Sequence, residues 1–289
     1  MYLENAPVSL VDLGDYQGVP PVSNRPLEIL NMNPAQPPDL YLQATLARHR
    51  VDASPGAAPF RIRELLLSTL RGWAGPNLES VSVSGSYAKN TAIRCPSLLP
   101  GEFDVDLFLS LVPGAFENLQ EMHSSLAAAL HRFNPQPRNV ATRIYVDGLS
   151  VDLVPGRRRA GSPNHSLWQL RSSTWIQTNI PEQIRYVRES GSIDDILALK
   201  IWRRRHALKF PSFLLELAAI RALSSSLETT PSARFLHVLR WLSESFADAR
   251  LADPGNSNNV VSTILDDDQK ARIANTAHCL AAPDWPSIL

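Results

Sequence analysis

The chain has 289 residues, of which 44% are hydrophobic, so it is long enough to bury a full core. Basic and acidic residues number 28 each, and this zero net charge argues against a long nucleic acid as the partner, because such partners usually require a basic surplus. Two cysteines, Cys95 and Cys279, are too few for a disulfide framework or a Cys-rich zinc module. Residues 1–5 lack signal-peptide features and no stretch predicts a membrane span, so we expect a cytoplasmic protein with no membrane partner.

The first part of the chain predicts an arm followed by two helices. Residues 1–38 contain seven prolines, which exclude a long helix and favour an extended conformation. Residues 39–50 and 60–73 then predict helices. The second helix has apolar residues at helical spacing, namely Ile62, Leu65, Leu66 and Leu70.

Residues 81–92 predict an alternating strand, a turn at Gly85-Ser86 and the start of a helix. The free N–H groups and the positive dipole end of a helix start bind anions such as triphosphate oxygens. The Ser86 hydroxyl would add a donor, and Gly85 would allow close approach. A Gly-Ser pair alone is more often only a turn.

In residues 103–109 acidic and apolar side chains alternate, which predicts a strand. Its apolar face would hold Phe103, Val105, Leu107 and Leu109. Asp104 and Asp106 would both point the other way, at a spacing that suits one divalent ion. The alternative is that each aspartate faces solvent on an antiparallel sheet.

A third carboxylate, Asp152, lies in a predicted hairpin. Residues 142–146 and 149–154 read as strands, and the intervening Asp147-Gly148 pair favours a type I′ turn. If the sheet brings Asp152 beside the first two aspartates, each pair of charges about 4 Å apart repels by roughly 4 kcal/mol at an effective dielectric near 20. Bound cations would remove that repulsion, and hard oxygen ligands favour Mg²⁺.

The second half of the chain predicts helices over residues 193–208, 212–225, 232–248 and 266–281, with Asp266 as the N-cap of the last. The sequence contains neither a Gly-rich P-loop nor a dinucleotide-binding fingerprint. A nucleotide site, if present, therefore belongs to another class.

Three segments, taken in order, resemble the motifs of the polymerase-beta-type nucleotidyltransferase superfamily. They are residues 85–94 (GSYAKNTAIR), Asp104-Val105-Asp106 and residues 151–155 (VDLVP). Within it, the chain is most similar to the branch that contains oligoadenylate synthetase, cyclic GMP-AMP synthase and their bacterial relatives, the CD-NTases. The resemblance runs from about residue 60 to about residue 265.

Two later segments also resemble that branch. Residues 198–204 and 210–217 are similar to the helical segment in which a lysine and a serine hold the triphosphate tail. By this match Lys200 and Ser212 would contact phosphates, and Phe213 could stack on a base. The alternatives are a solvated charge for Lys200 and a core position for Phe213. Residues 253–260 resemble an Asp-Pro…Asn-Asn element, for which the sequence indicates no role.

The resemblance implies an α+β fold: a mixed or antiparallel nucleotidyltransferase sheet with flanking helices, plus a C-terminal helical subdomain. We expect an arm at residues 1–38, a catalytic core at 39–180 and, at 181–289, a helical subdomain that closes the nucleotide cleft. The implied site has three metal-binding catalytic aspartates, Asp104, Asp106 and Asp152. The implied nucleotide-binding residues are Gly85, Ser86, Lys89, Lys200, Ser212 and Phe213.

The implied activity is the joining of nucleoside triphosphates, ATP among them, into a cyclic or linear oligonucleotide with release of pyrophosphate. Two Mg²⁺ ions, or Mn²⁺, would serve as cofactors. The product would be a second messenger that activates a separate effector protein in bacterial antiphage defence. The alternatives are a template-independent RNA nucleotidyltransferase of the CCA-adding or poly(A) kind, and a catalytically silent nucleotide-binding module.

Overall fold

The computed structural model describes residues 37–51, 54, 56–94, 104–278 and 284–289. The predicted arm lies outside the described residues except for its last two, and Phe103, Cys95 and Cys279 also lie outside them. In the described part, no helix is both long and apolar enough to cross a membrane.

Both predicted N-terminal helices are confirmed, as α1 (Pro38–His49) and α2 (Ala58–Ala74). Each has a proline in its first turn, where the missing N–H would have no partner within the helix. The buried face of α2 is Ile62, Leu66, Leu70 and Ala74, spaced by four residues. Leu65, the other apolar residue noted at helical spacing, is half exposed, because it lies about 100° around the helix from Leu66.

Seven strands in the described residues form one mixed sheet with the order β1-β2-β5-β4-β3, extended by β6 and β7. The strands are β1 (Leu78–Val83), β2 (Val105–Leu111), β3 (Gln136–Pro137), β4 (Thr142–Val146), β5 (Leu149–Arg158), β6 (His165–Gln169) and β7 (Thr174–Thr178). The central pair β2 and β5 is parallel, and the other neighbours are antiparallel. A single helical turn, α3 (Gly85–Ala88), follows β1, and α4 (Leu119–Ala129) follows β2.

The alternation predicted for β2 is confirmed over its described residues. Val105, Leu107 and Leu109 are fully buried against α2 and α4. Asp106 and Phe108 point to the opposite face, where Phe108 packs against Val154 and Leu167. The face of the sheet that carries Asp106 is therefore covered by apolar side chains around Phe108. The alternative in which Asp106 faces solvent on an antiparallel sheet does not apply, because β2 pairs in parallel with β5.

The hairpin between β4 and β5 has the predicted type I′ turn. Asp147 and Gly148 have φ values of 52° and 78°, and this turn requires positive φ at both central residues. Val146 pairs with Leu149, so Arg143 pairs with Asp152. The turn thus fixes which side chain of β4 lies beside the third aspartate.

The second half is helical, as predicted. It contains α5 (Ile180–Arg188), α6 (Ile193–Arg205), α7 (Ser212–Leu223), α8 (Pro231–Glu244), α9 (Asp267–His278) and α10 (Trp285–Ile288), with a hairpin of β8 (Ala252–Asp253) and β9 (Asn256–Val260) before α9. The ends of α6, α7 and α8 fall two to four residues before the predicted ones. Asp266 caps α9 as predicted: its Oδ1 accepts from the Gln269 N–H at 2.7 Å, and the Gln269 side chain accepts from the Asp266 N–H at 3.1 Å.

The largest core lies among these helices, around the fully buried Trp202, Phe235 and Phe246. Helix α1 belongs to it, although α1 precedes the sheet in the chain: its Tyr41 and Leu46 are buried there. Tyr41 Oη donates to the backbone oxygen of Leu289 at 3.1 Å. Residues 38–49 therefore pack with the helical part rather than with the sheet.

Candidate active site

The structure brings the three predicted aspartates together at one end of the sheet. Asp106 and Asp152 are direct neighbours in the parallel pairing of β2 with β5, and Asp104 immediately precedes β2 on the same face as Asp106. Burial, with added repulsion from Asp152 and Asp104, raises the pKa of the Asp106 carboxyl to about 7. The three side chains therefore form one electrostatically coupled group.

Gly85 lies directly against Asp106. A Cβ atom on Gly85 would lie 1.7 Å from Asp106 Oδ2, and its φ of +59° also favours glycine. The Ser84 N–H donates to the Asp106 backbone oxygen at 2.8 Å, which ties the turn after β1 to β2. Since α3 is one turn long, the dipole of a full helix is not available at Ser86. The close approach of backbone to carboxylate is the feature that the Gly-Ser pair provides.

The segment after Gly85 contacts a buried group of charged residues, which we call the lysine-glutamate cluster: Lys89, Lys200 and Glu216. Glu216 accepts from Lys89 Nζ at 3.0 Å and from Lys200 Nζ at 2.7 Å. Lys200 Nζ also donates to the backbone and side-chain oxygens of Thr91, both at 2.9 Å. The Thr91 N–H in turn donates to the Ser86 backbone oxygen at 2.9 Å, so the cluster positions the Gly85-Ser86 turn.

Burial and ion pairing compete in the electrostatics of this cluster. It lowers the pKa of Lys200 to about 8, against the opposing effect of Glu216. Burial alone would raise the pKa of Glu216, but the ammonium groups of Lys200 and Lys89 outweigh it and lower that pKa to about 2. Two ammonium groups face one carboxylate, so the cluster carries a net positive charge beneath the turn.

The structure corrects the direct phosphate contact expected of Lys200. Its side chain is 2% exposed, and three acceptors surround the ammonium group. The solvated-charge alternative is wrong for the same reason. Lys200 acts on the turn through Thr91.

Ser212 is half-buried and has a protein partner, whereas Phe213 lies differently from the expectation. Ser212 begins α7, and its hydroxyl accepts from Arg203 Nη1 at 3.0 Å. Phe213 is 3% exposed within the helical core, and Lys89 Nζ lies 4.2 Å from the centre of its ring. A base cannot stack on a ring that the core encloses, so the core alternative describes Phe213.

Arg143 is a member of the site that the motif comparison missed. Its Nε and Nη2 donate to the two carboxylate oxygens of Asp152, both at 2.7 Å, and Nη2 lies 3.5 Å from Asp104 Oδ2. Ser150 Oγ donates to the other oxygen of Asp104. The turn of the β4–β5 hairpin could have revealed this residue, because pairing Val146 with Leu149 places Arg143 opposite Asp152.

Glu216 was also missed. It is the one charged residue in the run from Phe213 to Ala219, on a helix that is otherwise apolar there. A lone carboxylate in such a run is expected to be buried and paired with a cation. That pattern is the signal that could have identified it.

The three aspartates fit a divalent cation in their chemistry but not in their present orientation. Carboxylate oxygens are the ligands that Mg²⁺ prefers, and burial together with repulsion from Asp152 and Asp104 raises the pKa of Asp106, so a cation there would be favoured. In the part of the chain that the structure describes, however, no three His, Cys, Asp or Glu side chains are arranged to hold a metal ion. Arg143 and Ser150 hold Asp152 and Asp104 instead.

The segment resembling the Asp-Pro…Asn-Asn element has a structural role. Asp253 is 2% exposed; its Oδ2 accepts from Gln183 Nε2 at 2.8 Å and its Oδ1 from the Gly255 N–H at 2.8 Å. A Cβ on Gly255 would lie 3.0 Å from Asn179, the N-cap residue of α5. The β8–β9 hairpin therefore fixes the start of α5 against the sheet.

An open groove of about 540 Å³ lies on the same side of the sheet as Asp106. Ser82 lines it from β1, and Ser82 pairs with Phe108, two residues from Asp106. Ile180, Ile184 and Arg188 line it from α5. Its volume lies within the range of small-molecule sites.

This fold is that of the CD-NTases. The CD-NTase CdnG of Bradyrhizobium diazoefficiens, solved with GTP, matches 87% of this chain and 92% of its own at 15% identity and a TM-score of 0.71. CdnC of E. coli MS115-1, solved with ATP, matches 86% and 96% at 17% identity and a TM-score of 0.66. The cyclic dinucleotide synthase CdnE of Elizabethkingia meningoseptica, solved with GTP and Apcpp, matches 83% and 98% at 13% identity and a TM-score of 0.64.

No protein-family model and no curated protein sequence matches the chain. The similarity to CD-NTases is therefore one of fold, carried by structure at low sequence identity. The resemblance and the α+β fold expected from the motifs are confirmed.

The first prediction tests the close approach at Gly85. Gly85→Ala should lower the free energy of unfolding by roughly 3 kcal/mol or more, because the new methyl group meets the Asp106 carboxylate and φ is strained. Gly75→Ala is the matched control, since Gly75 has a φ of +54° and a Cβ there would meet no atom within 4 Å. It should cost less than Gly85→Ala, roughly 1 to 3 kcal/mol, because only the backbone strain of a φ of +54° with a ψ of −131° is added. Equal losses in urea unfolding would contradict the close contact.

The second prediction tests the lysine-glutamate cluster. Glu216→Gln leaves two buried ammonium groups without a carboxylate and should lower the free energy of unfolding by roughly 3 to 5 kcal/mol. Asp195→Asn is the control, because its partner Arg234 is 27% exposed and can turn to water. Its loss should be no more than about 2 kcal/mol. A Glu216→Gln protein as stable as the control would show that the cluster contributes little.

The third prediction concerns the pH dependence of stability without metal. Because the folded-state pKa of Asp106 is raised to about 7 from 3.8, its contribution is complete below pH 4 and is lost as the pH rises to 7. Asp106→Asn should therefore match wild type near pH 4 and exceed it by roughly 2 to 4 kcal/mol at pH 8, measured in EDTA. Parallel pH profiles for Asp106→Asn and wild type would be incompatible with a raised pKa.

Proposed function

We propose that this protein is a metal-dependent nucleotidyltransferase that joins nucleoside triphosphates into a cyclic or linear oligonucleotide and releases pyrophosphate. The observation that carries the proposal is the pairing of Asp106 with Asp152 across parallel strands, with Gly85 packed against Asp106, within a CD-NTase fold. Three carboxylates crowded at one end of the sheet are suited to phosphoryl transfer, which is catalysed mainly by positioning and charge neutralisation.

In this proposal the divalent ions, two Mg²⁺ or Mn²⁺, are held by Asp104, Asp106 and Asp152. When bound, they supply charge neutralisation on phosphate oxygens and lower the pKa of an acceptor ribose hydroxyl. The aspartates contribute orientation, because β2 and β5 fix their backbones in register. No covalent intermediate with the protein is required.

The Gly85-Ser86 turn binds the triphosphate. Gly85 permits the backbone to lie against the carboxylate site, and the Ser86 hydroxyl provides a donor. Lys89 and Lys200 favour this binding without touching the ligand. Together with Glu216 they place a net positive charge on the buried side of the turn, and this charge attracts an anionic ligand. Lys200 is thus a positioning residue. The Ser212 hydroxyl accepts a hydrogen bond from Arg203, which is on the same helix as Lys200.

The groove beside β1 and α5 accommodates part of a nucleotide. Ile180 and Ile184 provide an apolar wall for a base, and Arg188 provides a positive charge at the rim. CD-NTases of similar fold were solved with GTP or ATP, which supports nucleoside triphosphates as substrates. The product would act in the cytoplasm as a second messenger, received by a separate effector protein in antiphage defence.

The fourth prediction tests this activity directly. The full-length protein is incubated with all four nucleoside triphosphates and Mg²⁺ but no RNA, treated with phosphatase and analysed by mass spectrometry. We expect a phosphatase-resistant cyclic oligonucleotide, or the dephosphorylated core of a linear one, and no product in EDTA. Asp104→Asn combined with Asp106→Asn should abolish product, because two ligands are lost.

Asp147→Asn is the matched control, since it also removes an aspartate but lies exposed in the type I′ turn, where asparagine is well tolerated. It should keep full activity. Product formation by the double variant at the wild-type rate would refute the assignment. Extension that occurs only when RNA is added would instead support an RNA-tailing enzyme.

A further inference from the structure

We propose that Arg143 is an internal counter-cation of the carboxylate site, which must release Asp152 before a divalent cation can bind there. Arg143 would then set the metal affinity of the site. This inference rests on the proposed function, since it concerns the metal ligands of that same site.

The geometry of the Arg143 contact makes it a competitor of a metal ion. Its two parallel hydrogen bonds engage both oxygens of Asp152 at 2.7 Å, the two-point arrangement that is strongest for a guanidinium group. The same group lies 3.5 Å from Asp104. One positive charge therefore bridges two of the three carboxylates, and within the described residues these carboxylates form no metal-ligating arrangement.

The hairpin gives Arg143 a fixed starting point. Its two-residue turn sets the pairing of Arg143 with Asp152, so a sliding of β4 cannot remove the guanidinium without breaking the sheet. The side chain of Arg143 is 20% exposed, whereas that of Asp152 is 13% exposed. Release is therefore a rotation of the arginine side chain toward solvent, with the backbone unchanged.

The charges give the direction of the effect. Without metal, Arg143 offsets part of the repulsion among Asp104, Asp106 and Asp152 and stabilises the folded protein. A divalent ion bound at Asp152 would meet a like charge a few ångströms away and would share oxygens that already accept two charge-assisted hydrogen bonds. Arg143 thus favours the metal-free state over the metal-bound state.

The fifth prediction uses Arg143→Met, which keeps a long side chain but removes the charge. Mn²⁺ affinity is measured by isothermal titration calorimetry on the full chain without nucleotide, and Tm is measured in EDTA and in saturating Mn²⁺. We expect the variant to bind Mn²⁺ at least tenfold more tightly than wild type. Its Tm should be lower in EDTA, and the rise in Tm caused by Mn²⁺ should be larger.

Arg158→Met is the matched control, because Arg158 is also on the sheet and paired with a carboxylate, Glu79, outside the aspartate site. It should leave Mn²⁺ affinity unchanged. Arg143→Lys keeps a charge but loses the two-point contact, and it should bind Mn²⁺ about threefold more tightly. This variant provides the test if Arg143→Met does not fold.

Two outcomes separate this inference from the proposed function. If wild type binds Mn²⁺ and the Arg143 variants bind it with the same or lower affinity, the inference alone is overturned. Arg143 would then be a residue that orients Asp152 for the metal. Absence of Mn²⁺ binding in wild type and both variants would overturn the metal site itself, and with it the proposed function.

Discussion

The parallel pairing of β2 with β5 is the constraint on which the site depends, because it forces Asp106 and Asp152 to lie side by side. Burial of Asp106, together with repulsion from the neighbouring Asp152, raises its pKa and opposes folding with both groups charged. Neighbouring residues offset part of this unfavourable energy. Arg143 holds Asp152, while Gly85 leaves room for the carboxylate of Asp106. The fold thus maintains a concentration of negative charge that protonation of Asp106 or a cation, internal or bound, relieves.

The lysine-glutamate cluster connects that surface to the helical part. Glu216 on α7 and Lys200 on α6 reach Lys89 and Thr91, which follow the Gly85-Ser86 turn. The turn that faces the aspartates is therefore held by helices that come more than a hundred residues later in the chain. Because the cluster is buried, movement of α6 or α7 would be transmitted to the turn through charged hydrogen bonds rather than through loosely packed side chains.

Local patterns predicted the parts of the structure that depend on local physics. The alternation around Asp106, the Asp147-Gly148 turn and the Asp266 cap each follow from a few consecutive residues, and the structure confirms them. Contacts between distant segments were not predictable in this way. Lys200 was expected at phosphates from the motif resemblance, and its actual partner, Glu216, is on another helix and could not be identified from the local sequence. The packing of Tyr41 on α1 against the C-terminal helices likewise follows from tertiary contacts alone. For Phe213, sequence could not choose between core and cleft, since both accept an aromatic ring.

The two-residue turn of the β4–β5 hairpin has a consequence for how such sites diversify. Side chains alternate between the faces of a strand with a period of two, so adding one residue to the turn would move Arg143 to the opposite face and bring Thr142 or Ile144 beside Asp152. The number of residues in this loop therefore determines which face of β4 lies beside Asp152. Inserting one codon in this turn, outside the cluster of Asp104, Asp106 and Asp152, could convert an aspartate cluster with a built-in cation into one that is open from the outset.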